Sequence, residues 1–145
     1  MKMPLILIVL TLSIVSCCPR GKIVAEHSSL LTETPNTSQL TIIRMSQTAG
    51  GGSTLPLLID NEIIAYLGSG DYVNLHLIPG EYYIAMGLKD LEEFVFLKAE
   101  NDGEYFYFFK WDILSNEGPT FFEQLTKEEA KNELTKNGYH LLKPM

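Results

Sequence analysis

The amino-acid sequence predicts a mainly β protein, an antiparallel β-sandwich of Ig-like or prealbumin-like type with one short C-terminal helix. The first observation behind this prediction is a series of short apolar segments separated by turn residues. The second is the alternation within residues 71–78 (DYVNLHLI), which places Val73, Leu75 and Leu77 on one face of a strand. The third is a single helix-capping signature close to the end of the chain.

The predicted strands follow one another through the middle of the chain, and turn residues join them. They are residues 40–45, 55–59, 62–67, 71–78, 81–86, 94–99 and 105–111. Asp60-Asn61 and Pro79-Gly80 are typical turn pairs. Asp102-Gly103 stands between two aromatic segments, which predicts a β-hairpin at that point.

The helix is predicted from its two ends. Thr126 and Glu129 form the pattern of a capping box, in which each side chain binds the backbone N–H of the other residue. Asn137-Gly138 is a typical helix stop. The helix is therefore about three turns long. Ala130 and Leu134 give it one weak apolar stripe, so we expect it to pack on the flank of a sheet.

Residues 1–16 have the features of a signal peptide. Lys2 supplies the positive charge, and residues 4–15 form an apolar run too short to span a bilayer as a permanent helix. Residues 14–17 (IVSC) resemble the lipobox of bacterial lipoproteins. This resemblance implies cleavage before Cys17 and attachment of a diacylglyceryl group to its thiol. The alternative is an ordinary signal peptide or an uncleaved anchor that ends in Cys.

Residues 17–38 are interpreted as the lipidated N-terminus and a flexible tether, and residues 39–145 as the β-sandwich domain. Leu30-Leu31 leaves a second interpretation open, in which part of the tether forms a short helix. The chain has two Cys, Cys17 and Cys18. If Cys17 carries lipid, Cys18 has no partner for an internal disulfide, so the domain depends on its hydrophobic core.

The charge balance indicates which partners the protein avoids. The chain has 18 Asp+Glu against 11 Lys+Arg, a formal net charge of -7. An acidic chain repels nucleic acid and anionic headgroups, so membrane attachment is expected through the N-terminal lipid alone. By analogy with lipoprotein sorting, Cys18 is not the Asp that retains lipoproteins at the inner membrane. In a Gram-negative cell the expected location is therefore the outer membrane, facing the periplasm.

Motifs for catalysis, metal binding and cofactor binding are missing from the sequence. The glycine-rich residues 50–54 lack the Lys of a phosphate-binding loop. The histidines, His27, His76 and His140, are far apart and have no metal-ligand spacing. We therefore expect no enzyme activity, no catalytic residues, no metal and no cofactor. A deep cleft lined by Asp60, Asp71 or His76 would favour an enzyme instead.

Aromatic residues are the best candidates for binding. Residues 105–109 (YFYFF) are aromatic on both faces of the predicted strand. One face must belong to the core, and the other is either covered by the helix or exposed as a patch. Exposed aromatic patches commonly bind sugars or protein partners. Tyr105, Tyr107 and Trp111 are accordingly the candidate contacts for a partner, a glycan or a small ligand.

The middle of the chain resembles a family of small bacterial lipoproteins built on an uncharacterised domain, which is similar to PEGA-type β-sandwich modules. The residues that carry the resemblance are 57–62 (LLIDNE), 65–68 (AYLG), 70–73 (GDYV) and 77–82 (LIPGEY). It extends over residues 40–134 and departs from the family at Arg44, which no Pro follows. The resemblance implies an exported, all-β, non-enzymatic protein. We expect a lipid-anchored interaction module with an envelope protein partner; the alternative is a glycan-binding or ligand-binding protein.

Overall fold

A computed structural model of the protein describes residues 20–47, 53–87, 93–111 and 120–143. These residues form two five-stranded sheets that pack as a sandwich. Sheet I contains, in spatial order, β1 (Lys22–Ile23), β4 (Glu62–Leu67), β3 (Leu55–Ile59), β6 (Gly80–Met86) and β7 (Glu93–Ala99). Sheet II contains, in spatial order, β10 (His140–Leu141), β5 (Asp71–Leu77), β2 (Ser38–Arg44), β8 (Glu104–Trp111) and β9 (Thr120–Leu125). A short helix, α1 (Lys127–Asn137), follows β9. The predicted class, a mainly β sandwich with a short helix near the C-terminus, is confirmed.

The pairing of strands is less uniform than an antiparallel sandwich predicts. Sheet I is antiparallel throughout its described strands. Sheet II is mixed, because β2 lies antiparallel to β5 but parallel to β8, and β10 lies parallel to β5. A parallel pair needs a long crossover connection, and the chain between β2 and β8 passes through all of β3 to β7.

The hairpin prediction at Asp102-Gly103 is wrong in its pairing. The turn is present, with Asp102 in the left-handed region at a φ of 56° and Gly103 N–H donating to the Glu100 carbonyl at 3.1 Å. The strands on either side, however, belong to different sheets, since β7 pairs with β6 and β8 pairs with β2 and β9. A turn signal specifies where the chain reverses, whereas burial decides which strands then pair.

The core lies between the two sheets and follows the alternation of the strands. Val73 and Leu75 on β5 are fully buried, as the sequence pattern predicts, and Leu57 on β3 is buried in the opposite sheet. Phe109 on β8 is 0% exposed and meets the Phe122 ring edge-on at 5.1 Å between centroids. Each large apolar side chain buried in this way contributes about 1.5–3 kcal/mol to folding.

Helix α1 covers the outer face of sheet II. Ala130, at 1% exposure, packs with Ile43 and Phe108 in a second apolar cluster, and Leu134 and Phe106 join it. Strand β8 therefore buries aromatic side chains on both faces, towards the core and beneath the helix. Of the two alternatives for the second face of this strand, the structure has the one covered by the helix.

The capping box of α1 is present and allows a direct test. The Thr126 N–H donates to Glu129 Oε2 at 2.7 Å, and the Glu129 N–H donates to Thr126 Oγ1 at 3.3 Å. The bond from the Thr126 N–H, followed by the one that the Thr126 hydroxyl donates to the same Glu129 oxygen at 2.8 Å, lowers the pKa of Glu129. We expect Thr126→Ala to reduce the free energy of unfolding by about 1 kcal/mol. Thr126→Ser, which keeps the hydroxyl, should leave the urea midpoint near that of the wild type, and an equal loss in both variants would contradict this.

The predicted tether requires a correction. Strand β1 pairs with β4, and Ile23 is 3% exposed. A 3₁₀ helix (Ala25–Leu31) follows, and its Leu30 and Leu31 pack against the core. The described part of the segment up to residue 31 thus belongs to the sandwich, because β1 extends sheet I and the apolar side chains of the 3₁₀ helix pack against the core. The first residues of the predicted tether, 17–19, lie outside the described part of the chain.

Candidate functional site

Three aromatic side chains form a cluster on the outer face of sheet I. Tyr83 on β6 is the register partner of Phe96 on β7, and Phe94 lies two residues before Phe96 on the same face. The ring centroids are 5.3 Å apart for Tyr83 and Phe94, 5.4 Å for Tyr83 and Phe96, and 5.8 Å for Phe94 and Phe96. We call Tyr83, Phe94 and Phe96 the aromatic cluster.

The cluster is exposed because of the alternation of β7. Leu97 and Ala99 point into the core at 4% and 3% exposure, which turns Phe94 and Phe96 outward. Their exposed fractions are 54% and 72%. A phenylalanine ring is among the largest apolar groups a protein can bury, so two such rings left exposed do little for the stability of this fold. Exposed aromatic surface of this kind is typical of interaction sites.

Apolar side chains continue from the cluster across the sheet. Strand register places Phe94 beside Ala85, Ala85 beside Leu58, and Leu58 beside Ile63, so a single apolar row crosses β7, β6, β3 and β4. Ile63 is 38% exposed, whereas Ala85 in the middle of the row is 0% exposed, so the exposed apolar surface is interrupted there. Sheet II has its outer face covered by α1, whereas among the described residues no helix packs on the outer face of sheet I.

The three rings of the aromatic cluster are not parallel. The planes of Tyr83 and Phe94 meet at 30°, those of Tyr83 and Phe96 at 59°, and those of Phe94 and Phe96 at 75°. The three rings are therefore tilted against one another and form an uneven apolar surface.

The aromatic residues chosen from the sequence lie elsewhere. Tyr107 is 5% exposed, and its burial raises the pKa of its phenol. Tyr105 is half-buried against the core, and its hydroxyl accepts a hydrogen bond from the Glu100 N–H at 3.0 Å. The Trp111 backbone pairs with Thr120, and its side chain lies outside what the structure describes. Tyr105 and Tyr107 therefore lie on the core-facing side of β8, and the structure does not bring them to an exposed patch.

Cys17, the predicted lipidation site, lies outside the described residues. None of the helices in the described part of the chain combines the length and apolar character needed to cross a membrane. Within the same ranges, no group of three or more His, Cys, Asp or Glu side chains is arranged to hold a metal ion.

A groove of about 600 Å³ lies at one end of the sandwich. Asp60, His76 and His27 line it. The Asp60 carboxylate accepts a hydrogen bond from the Tyr83 N–H at 2.9 Å, which stabilises the turn after β3. His27 Nε2 is 4.0 Å from Glu62 Oε2. The sequence named three residues as a possible basis for catalysis. Two of them, Asp60 and His76, share this groove, and the third, Asp71, does not line it.

Asp71, the third of those residues, has a structural role away from the groove. It is 3% exposed, and its Oδ2 accepts hydrogen bonds from the N–H groups of Gly21 and Gly68, both at 2.7 Å. These two bonds join the segment before β1 to the turn between β4 and β5.

The fold and the surface together define a class, a β-sandwich with one outer face covered by a helix and the other presenting an aromatic cluster. No family model matches the chain, and no curated protein matches it in sequence.

Proposed function

We propose that this protein is a lipid-anchored, non-catalytic envelope lipoprotein that acts as a protein-interaction module, and that its partner binds the aromatic cluster. The observation that carries the proposal is the exposure of Phe94 and Phe96 at 54% and 72% beside Tyr83. Large aromatic side chains are common among the residues that dominate binding energy at protein interfaces.

The anchor is proposed from the N-terminal sequence. The lipobox-like residues 14–17 supply a thiol at Cys17, and two or more acyl chains, such as palmitate, hold a protein durably on a membrane. The resemblance to small lipoproteins with PEGA-like domains supports the same assignment. In a Gram-negative cell the module would face the periplasm from the outer membrane.

A partner protein fits the cluster better than a second copy of this chain does. Each copy has a formal net charge of -7, so two copies repel each other. Glu81, Glu93 and Lys98 lie on the strands that carry the cluster, and together they have a net negative charge. The expected partner is therefore an envelope protein with an apolar surface and basic residues around it.

Site-specific photo-crosslinking in intact cells tests the proposal. A photoreactive residue at Lys98, which is exposed beside the cluster, should crosslink to one envelope protein, and the same residue at Lys136 on α1 should not. The double variant Phe94→Ser/Phe96→Ser should abolish the crosslink. Its stability should change by no more than roughly 0.5–1 kcal/mol, since both side chains are mostly exposed.

Ile78 provides a matched control for this experiment. It is also a large exposed apolar side chain, at 70% exposure, but it lies outside the cluster. Ile78→Ser should leave the crosslink unchanged. Equal crosslinking in the double variant and the wild type, or recovery of no envelope protein from Lys98, would refute the proposed interface.

A further inference from the structure

A second groove, of about 300 Å³, lies between helix α1 and the outer face of sheet II. It is separate from the aromatic cluster, which belongs to sheet I. Strand register places Asn74, Thr41 and Phe106 side by side across β5, β2 and β8, and this row forms the floor of the groove. Lys127 and Lys131 line it from the helix.

Hydrogen bonds fix the orientation of the polar groups on this floor. The Gln39 amide Nε2 donates to Thr41 Oγ1 at 3.4 Å, and Thr41 Oγ1 donates to Asn74 Oδ1 at 2.9 Å. Thr41 is 1% exposed, so these two hydrogen bonds are held in place. They use one amide N–H of Gln39 and the side-chain carbonyl of Asn74. The Gln39 carbonyl and the Asn74 amide N–H groups make no hydrogen bond to the protein within the described residues.

An acceptor and a pair of donors on neighbouring side chains match the hydroxyls of a sugar, each of which both donates and accepts. Aromatic rings are present beside them. Tyr72 and Phe106 both line the groove and are half-buried, so each leaves part of its ring accessible. The C–H face of a sugar ring packs against such surfaces, whereas a purely apolar ligand would leave the amides unsatisfied.

The charges in the groove favour an acidic ligand. Lys127 Nζ is already paired with both oxygens of the Glu104 carboxylate, at 2.8 and 2.7 Å. Lys131 makes no ion pair with the residues that the structure describes. The groove therefore has a net positive charge in a chain whose formal net charge is -7. An anionic group on the ligand would complement Lys131.

We propose that this groove binds a glycan that contains a carboxylate-bearing sugar. The Gln39 and Asn74 amides contact its hydroxyls, Tyr72 and Phe106 pack against its ring, and Lys131 binds its carboxylate. The volume of about 300 Å³ lies at the lower limit of small-ligand sites, so the groove fits one or two sugar units of a longer chain.

Binding measurements on the full-length lipidated protein in detergent test this inference. The probes are a disaccharide that contains N-acetylmuramic acid, a glucuronic acid disaccharide, and neutral chitobiose. We expect a carboxylated probe to bind at least about tenfold more tightly than chitobiose, the effect of one charge-assisted hydrogen bond. The two carboxylated probes distinguish a cell-wall glycan from an acidic polysaccharide.

Three variants locate the binding. Lys131→Glu should weaken binding of the carboxylated probe at least about tenfold, and Asn74→Asp, which keeps the acceptor for Thr41 but removes the donors, should weaken it similarly. Lys136→Glu, on the same helix but outside this groove, should have no effect. Equal binding of all three probes, no binding of either carboxylated probe, or an unchanged affinity in Lys131→Glu would overturn the inference. Phe94→Ser/Phe96→Ser should bind the sugar normally, which separates this site from the proposed protein interface.

Discussion

Replacing Asp71 with Ala is expected to reduce the free energy of unfolding by about 3–5 kcal/mol. The Asp71 side chain is 3% exposed, and its Oδ2 accepts hydrogen bonds from the N–H groups of Gly21 and Gly68 at 2.7 Å each. Alanine removes both charge-assisted bonds. It also leaves the Gly68 N–H buried without an acceptor, and that group loses its interaction with water on folding.

The loss extends to a second buried group, the Arg44 guanidinium. Arg44 is 1% exposed, and its Nη1 donates to the carbonyl oxygens of Ser53 and Leu67. Burial lowers the pKa of Arg44 to about 10, and the negative charge of Asp71 acts in the opposite direction by stabilising the protonated form. Without Asp71, the buried cation loses a compensating charge.

Gly21 shows how closely the chain approaches this carboxylate. A Cβ atom at that position would collide with the Tyr66 carbonyl oxygen and with Asp71 Oδ2, so only glycine allows the hydrogen bond. We therefore expect Asp71→Ala to release the segment that contains β1 and the 3₁₀ helix before the whole domain unfolds. Hydrogen exchange of the Val24 amide, which bonds to the Ile64 carbonyl at 2.9 Å, should become faster.

Urea unfolding followed by circular dichroism measures the stability change. Asp71→Asn is the matched variant, because it keeps an oxygen acceptor and loses only the charge, so we expect a smaller loss of about 1–2 kcal/mol. Glu128→Ala, an exposed carboxylate on α1, should change the stability by less than about 0.5 kcal/mol. If Asp71→Ala unfolded at the urea concentration of the wild type, the structural role of this carboxylate would be disproved.

Local features of the fold could be predicted because they depend on neighbours in the sequence. The alternation in β5 correctly assigned Val73 and Leu75 to the core, and Thr126 with Glu129 correctly located the start of α1. Pairing between distant strands could not be predicted in this way. Strand β1 has two residues, Lys22 and Ile23, too few for a periodic pattern, and its position depends on contacts with β4 and Asp71, which are distant in the sequence.

The candidate site was predictable only in part, for the same reason. Aromatic residues were expected to bind, and Phe94 and Phe96 alternate with Val95 in a way that places them on one face of β7. Whether that face is covered depends on where α1 docks, and the helix could pack against either sheet as far as its sequence indicates. It packs on sheet II, where it buries Phe108 and partly covers Phe106, and no helix of the described residues covers the outer face of sheet I.

Replacing Cys17 with Ser is expected to abolish lipid attachment completely. A serine hydroxyl does not replace the thiolate nucleophile that the lipobox reaction requires. Metabolic labelling with an alkyne fatty acid should therefore mark the wild type and leave Cys17→Ser unlabelled. Cys18→Ser is the matched control, because it removes the adjacent thiol and should be labelled as fully as the wild type. Label that persisted in Cys17→Ser, or that disappeared only in Cys18→Ser, would contradict the assignment.

The location of the protein should change with the lipid. Cys17→Ser exported through an ordinary cleavable signal peptide should appear in the soluble fraction, because the acidic chain has no attraction to anionic headgroups. Its aromatic cluster would be intact, yet crosslinking from Lys98 to a membrane-bound partner should fall, since the anchor raises the effective concentration of the module at the membrane. Crosslinking at the wild-type level from the soluble form would mean that the partner is itself soluble, and membrane fractionation of the crosslinked product distinguishes the two cases.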